Sequence, residues 1–247
     1  MSKKRSCAAV PGASSSVWAR GPAIRSASAP KSSPLRDART RRTAVSSDRI
    51  GVLGGTFDPV HVGHLFIAEA VAAEAGLAEV LFSPVGSPAH RSPHASAHHR
   101  AAMVALGIEG NARFGLDDTA LRQSGPVYTA DTLPLMQARY PQAKLSFIAG
   151  IDSLVNSVWQ RLDQVARLVE NFYVVARDGL DEGGLDDCLA ALPLDLKQRF
   201  VYLSLPLVDV SARSIRARVG QAKPIRYLVP DPVESYIREQ GLYKATH

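Results

Sequence analysis

The 247-residue chain has only two cysteines, Cys7 and Cys188. Two cysteines so far apart make no disulfide framework, which points to a reducing, cytoplasmic setting. No long uncharged apolar run is present either. The best candidate for a bilayer span, Leu65 to Phe82, is interrupted by Glu69, Glu74 and Glu79, so a membrane protein is not expected. The larger part of the chain also lacks an excess of positive charge. The formal net charge is +6, but residues 1–48 hold ten basic and two acidic side chains, a net of +8. The other 199 residues hold 19 basic and 21 acidic groups, a net of −2. A domain that binds nucleic acid through a basic surface is therefore disfavoured, because its folded part would lack the necessary field.

The first 48 residues are rich in Ser, Ala, Arg and Pro and show neither helical nor strand periodicity. Such a segment buries too little apolar surface to offset its chain entropy and is expected to be disordered. A solvated extension, a mis-assigned start and an organelle-targeting leader all stay open as its meaning. Residues 49–247 are expected to form one domain with an ordinary core, consistent with 46% hydrophobic and 21% charged residues overall.

Within that domain, short continuous apolar runs alternate with amphipathic stretches. Strands are predicted at 50–53, 79–82, 112–116, 144–149, 171–176 and 200–205. Helices are predicted at 63–75, 97–108 with Ser96 as N-cap, 129–138 with Thr129 as N-cap, 211–219 and 232–240. Pro134 inside the third helix weakens its first turn. Continuous rather than alternating strands imply a parallel sheet covered on both faces, an α/β, Rossmann-like, doubly wound fold. Ligands of such sheets bind beyond the carboxyl ends of the strands, so residues just after each strand are the candidates.

The first strand runs into Gly54-Gly55-Thr56-Phe57-Asp58-Pro59-Val60-His61-Val62-Gly63-His64-Leu65. The glycines permit close backbone approach to a ligand, and Pro59 stiffens the turn. His61 and His64, three apart at a helix start, project the same way, and Gly63 between them removes a side chain from the crevice. A helix N-terminus attracts anions through its free N–H groups and its dipole. Two imidazoles there add donors for phosphate oxygens. The loop is not a Walker A motif, because the Gly-Lys-Ser/Thr ending is missing. Taken singly, His-x-x-His also fits capping, and the glycines also fit a plain strand end. The i, i+4 spacing of His94 and His98, with His99 beside it, raises a metal site, but no acidic or thiol partner accompanies them and no metal ligands are assigned.

The motif from Gly54 to Leu65 closely resembles the signature of the nucleotidylyltransferase superfamily with the His-x-Gly-His motif. Further segments resemble bacterial nicotinate-nucleotide adenylyltransferases within it. They are Ser87–Arg91, Tyr128–Leu133, Phe147–Leu154, Trp159, Val210–Arg216 and the ending Leu228 through Tyr243. The resemblance spans residues 49–247. It implies transfer of AMP from ATP to nicotinate mononucleotide, giving deamido-NAD and pyrophosphate, with Mg²⁺ carried mainly by the ATP phosphates. The nearest alternatives are the same chemistry on nicotinamide mononucleotide or another phosphorylated acceptor. A nucleic-acid-binding module using the basic tail is more remote.

By the same resemblance, His61, His64 and Arg216 stabilise the developing charge. Gly54, Gly55, Thr56, Phe57, Asp152, Ser211, Ser214, His90 and Arg91 receive ATP. Thr129, Trp159 and Arg177 receive the nicotinate nucleotide, with Trp159 stacking on the pyridine ring. On this reading the domain's useful positive charge is local: His61, His64, Arg216 and Arg91. Arg213 departs from the family pattern, which has Ser or Thr there, and Asp178 stands where Pro is usual. A homo-oligomer is left open.

Overall fold

The computed structural model describes residues 49–87, 92–155, 159–177, 183–206 and 208–244. The basic tail, with the disorder expected of it, lies outside the described residues, as do His90, Arg91 and Asp178. Six strands form one parallel sheet: β1 (Arg49–Gly55), β2 (Glu79–Pro84), β3 (Phe114–Leu116), β4 (Lys144–Gly150), β5 (Phe172–Arg177) and β6 (Phe200–Leu205). Their spatial order is β3-β2-β1-β4-β5-β6. That order reverses direction between β1 and β4, which are paired in parallel from Arg49↔Lys144 to Leu53↔Ile148. The crevice beyond the carboxyl ends of these two strands is the switch point of a doubly wound sheet.

Consecutive residues of each strand feed opposite cores. Leu53, Phe82, Ile148 and Tyr173 pack on one face of the sheet with Val71, Met103, Ile215 and Val233. Val52, Leu81, Phe147 and Phe172 pack on the other with Leu133, Met136, Val165 and Leu189. Both faces are apolar because both are covered, which is why the strands read as unbroken hydrophobic runs.

The first core is covered by α1 (Val62–Ala75), α2 (Ala97–Ile108), α8 (Ala212–Gly220) and α9 (Asp231–Glu239). The second is covered by α3 (Thr129–Arg139), α5 (Leu162–Leu168) and α6 (Gly183–Leu189). Two short α-helices, α4 (Ile151–Val155) and α7 (Leu194–Lys197), and a 3₁₀ turn at Ala120–Arg122 complete the set among the described residues.

Local signals account for several boundaries. Ser96 caps α2 by accepting from the His99 N–H at 3.3 Å. α1 ends where Gly76 adopts φ 62°, and the Gly76 N–H returns to the Ala72 carbonyl. Ser211 and Ser214 cap α8 reciprocally: Oγ of Ser211 accepts from the Ser214 N–H at 3.1 Å, and Oγ of Ser214 accepts from the Ser211 N–H.

One expected cap is displaced. Thr129 is the first helical residue of α3, and Tyr128 is the cap, at φ −115°, ψ 148°. The Asp131 and Thr132 N–H groups close on the Tyr128 carbonyl, so the ladder begins one residue earlier than the side-chain chemistry of Thr suggests. α3 runs through Pro134.

Candidate active site

The turn after β1 delivers both histidines to the start of α1. The extended backbone of His61 (φ −147°, ψ 169°) makes it the N-cap, and His64 sits one turn on. Their rings stack with centroids 3.7 Å apart. The His61 N–H donates to Nδ1 of His64 at 3.2 Å, so capping and site assembly are one arrangement here. An Nδ1 that accepts places the proton of the neutral ring on Nε2, and His64 Nε2–H is therefore a hydrogen-bond donor. Phe57, at φ 50°, is 2% exposed and meets the His64 ring edge-on at 5.0 Å. Its side chain is thus a support beneath His64, and only its main chain is left for a ligand.

The glycines make room mainly for the chain's own rings. A Cβ on Gly54 would lie 2.8 Å from Phe147, and one on Gly55 2.9 Å from Phe57. A Cβ on Gly63 would lie 3.1 Å from Nδ1 of His61 and 3.8 Å from Val208, on the segment leading to α8. The start of α1 and the approach to α8 are therefore neighbours. The Leu228 carbonyl, before α9, takes the Val62 N–H at 3.1 Å.

Burial decides the charge of the pair. Desolvation lowers the pKa of His61 from 6.5 to about 4. Desolvation, then the adjoining His61, hold His64 well below the ordinary histidine range. The expectation that these histidines supply positive charge is corrected: at neutral pH both are uncharged, because desolvation, and for His64 also the adjoining His61, disfavours the proton. Neutral imidazoles can offer dipolar donors, and a cation reaches the same turn from Arg216. Its Nη1 donates to the main-chain carbonyl of Asp58 at 2.6 Å, which joins α8 to the turn after β1.

Ser211 and Ser214 occupy the first turn of α8, but their hydroxyls are engaged in the cap; Ser214 also donates to the Ser211 carbonyl at 2.8 Å. Asp152 is the second residue of α4, directly after β4, and exposed.

A second recess opens beside the first, lined in part by Gly54, Ser83, Tyr128, Thr129 and Phe147. Trp159 abuts Phe147 edge-on at 5.8 Å and Phe172 at 5.5 Å, and its Nε1 donates to the Ser153 carbonyl at 2.8 Å. Thr129 thus lines this recess, whereas Trp159 packs behind it against Phe147 and Phe172. Arg177 is the last residue of β5.

Two organising residues carry no signal that the sequence alone makes plain. Asp58 is 4% exposed and fastens the segment before α2: its carboxylate accepts the His94 N–H at 2.7 Å and the Ala95 N–H at 3.1 Å. Arg100 is 1% exposed and donates to four main-chain carbonyls: Thr56, Val85, Gly86 and Ala95, at 2.8, 2.6, 2.8 and 3.2 Å. One guanidinium therefore clamps the turns after β1 and β2 to α2. The hint it leaves in the sequence is a lone arginine on a stripe that continues with Met103 and Val104, both buried.

Comparison with known proteins agrees with this geometry. Residues 52–218 match the model of the cytidylyltransferase-like family. The nicotinate-nucleotide adenylyltransferase of Bacillus subtilis is 36% identical over 200 residues, covering 80% of this chain and 99% of that protein. The chain belongs to the nicotinate-nucleotide adenylyltransferase family. A relative from Symbiobacterium thermophilum, named as a probable nicotinate-nucleotide adenylyltransferase, is 41% identical over 198 residues, 79% of this chain and 95% of its own length. The fold is shared with the nicotinic acid mononucleotide adenylyltransferase of Plasmodium falciparum complexed with NaAD. The two superpose with a TM-score of 0.64 at 19% identity, over 80% of this chain and 98% of that one. The fold of the nicotinate-nucleotide adenylyltransferase family thus persists even where little sequence identity remains.

Proposed function

We propose that the chain transfers AMP from ATP to nicotinate mononucleotide, giving deamido-NAD and pyrophosphate in NAD biosynthesis. The observation that carries this reading is the stacked His61–His64 pair at the start of α1, with Arg216 fastened to the same turn from α8. The acceptor phosphate is already an anion, so its oxygen attacks the α-phosphorus in line without a general base or covalent enzyme intermediate. Catalysis then consists of positioning and of donors matched to the charge that develops. The neutral pair suits this chemistry, since His64 presents Nε2–H and buried donors gain strength where little water competes.

Arg216 supplies the fixed positive charge for the phosphates. Gly54, Gly55 and Thr56 would line the approach to ATP with main chain, and Asp152 would meet the adenosine ribose. His90 and Arg91 would reach the phosphates from the loop before α2. The recess beside Thr129 would receive the nicotinate nucleotide, and Trp159 and Arg177 are proposed to contribute to its binding on the family resemblance. Among the described residues no group of three or more His, Cys, Asp or Glu side chains converges into a metal cage. Mg²⁺ binds readily through phosphate oxygens and water with few protein ligands, which fits an ion delivered on ATP. When bound it supplies charge neutralisation between the phosphates.

The test is pyrophosphate release from ATP and Mg²⁺ with each acceptor in turn. Turnover is expected with nicotinate mononucleotide. Turnover with nicotinamide mononucleotide or another phosphorylated acceptor, and none with the nicotinate nucleotide, would overturn the substrate assignment.

A further inference from the structure

The turn before α5 carries an arginine where the backbone favours glycine. Arg161 lies at φ 60°, ψ 44°, the left-handed region, which costs free energy for a residue with a Cβ. Its side chain is firmly engaged. Nη1 donates to Oδ1 of Asp131 at 2.8 Å and Nη2 to Oδ2 at 2.6 Å, a two-pronged fork. The same guanidinium lies over the ring of Tyr128, its carbon 5.5 Å from the centroid. The hydrogen bonds hold the Asp131 carboxyl below the usual carboxylate range and raise the Arg161 guanidinium, so both partners stay charged at neutral pH.

Both contacts converge on one wall of the recess beside Thr129. Tyr128, Thr129 and Thr132 line it, and Asp131 sits in the same first turn of α3. Arg161 itself stands two residues after Trp159, whose ring is packed against Phe147 and Phe172 behind the recess. The fork therefore joins the start of α3 to the Trp159 segment across 30 residues of sequence. A fork so exposed, with side chains 38% and 44% accessible, adds little to global stability. Its leverage is local, on one ring and one turn.

We propose that Arg161 and Asp131 are positioning residues: their ion pair pins the Tyr128 ring and the Trp159 segment, and so holds the recess at the width that takes the acceptor nucleotide. The pair acts through the wall it holds, not by contact with the reacting phosphates. The inference rests on the adenylyl-transfer reading for the identity of the acceptor. The clasp itself stands without it.

The experiment is a double-mutant cycle in the full chain, using Arg161→Gly, Asp131→Asn and both together. Glycine removes the fork but suits the left-handed turn, so Tm should stay within about 2 °C of the native value. KM for nicotinate mononucleotide should rise about fivefold in each single variant, the scale of a well-formed exposed ion pair with its ring contact, while kcat and KM for ATP stay within about twofold. The double variant should be no more than about twofold worse than either single one, because both remove the same clasp. A second readout needs no turnover. Placing all four proteins in a Trp18→Phe background leaves Trp159 as the only tryptophan of the chain, and iodide quenching of its fluorescence should rise when the fork is lost. Unchanged KM for the nicotinate nucleotide in a single variant, an equal rise in KM for ATP, or losses that multiply in the double variant overturn the inference. A native chain that transfers no AMP to nicotinate mononucleotide overturns the functional reading instead. Quenching then decides the clasp: a rise on losing the fork supports it, and equal quenching in all four proteins overturns it.

Discussion

Lowering the pH from 7 to 5 at fixed ionic strength perturbs the buried imidazoles directly. His61 is 7% exposed, and its pKa falls from 6.5 to about 4 on folding. Between these values the unfolded chain binds a proton that the folded chain refuses. Stability is therefore full above pH 6.5 and is lost as the pH falls towards 4. The difference is worth about 3 kcal/mol in total and roughly 2 kcal/mol by pH 5. His64 is shifted in the same direction, so the native slope exceeds that of one site. The carboxylates that arginines hold low, Asp118 by Arg122 and Asp131 by Arg161, lose their contribution only at still lower pH. The assay is urea unfolding at both pH values, for the native chain and for His61→Asn. With an m-value of roughly 2–3 kcal/mol/M, the native midpoint should fall by at least about 0.7 M, and the variant should fall clearly less. Equal midpoints at pH 7 and 5, or the same fall in both proteins, would refute the claim that the site holds its histidines neutral by burial.

His64→Ala should lower kcat by about 10²–10³, the cost of one preorganised donor, with thermal unfolding near the native value; near-native kcat would remove His64 from the phosphate contact. Arg100→Met leaves four buried carbonyls without their donor and should destabilise by about 3–5 kcal/mol, roughly 10 °C in Tm, so a shift under about 2 °C would contradict the clamp. Gly63→Ala places a Cβ 3.1 Å from His61 Nδ1 and must press that ring into its stack with His64. Because alanine also favours the helix, kcat should fall while Tm holds, and native kcat would show that the stack has slack. Removing residues 1–48 should leave kcat and KM unchanged while the formal charge goes from +6 to −2; lost activity would tie the tail to catalysis.

The elements legible in the sequence are those whose causes are local. Ser96 marks the start of α2 because a hydroxyl cap acts over three residues, and β6 is legible because Phe200 to Leu203 form a short apolar run. The short helices α4 to α7 are not legible, because four to seven residues make at most about two turns, too few for an apolar stripe to repeat. Among them α5 starts at Arg161 in the left-handed region, and α7 at Pro193, with no side-chain cap to announce either. Thr129 looks like a cap in the sequence because side-chain preference cannot show which carbonyl opens the ladder.

The site divides along the same line. The spacing of His61 and His64 places both rings together, since one helical turn is a local distance. Their charge cannot be read from spacing, because protonation follows from burial under Phe57 and the surrounding core, which no local pattern states. Asp58 and Arg100 stay hidden for a related reason: their partners come from 5 to 185 residues away. They are also the residues that resolve the oddity of a domain with a net charge of −2 that handles polyanions. The charge of Arg100 is directed at carbonyls, that of Asp58 at main-chain N–H groups and Tyr243, and the histidines carry none. Arg216 is left as the proposed cation of this corner, hydrogen-bonded to the Asp58 main-chain carbonyl at 2.6 Å with the Asp58 carboxylate 3.9 Å away. A phosphate entering this corner would therefore meet a guanidinium that is hydrogen-bonded to a carbonyl and has its counter-ion 3.9 Å away. A larger basic surface would bind anions more generally, but it would not fix a guanidinium against the turn that carries the histidines.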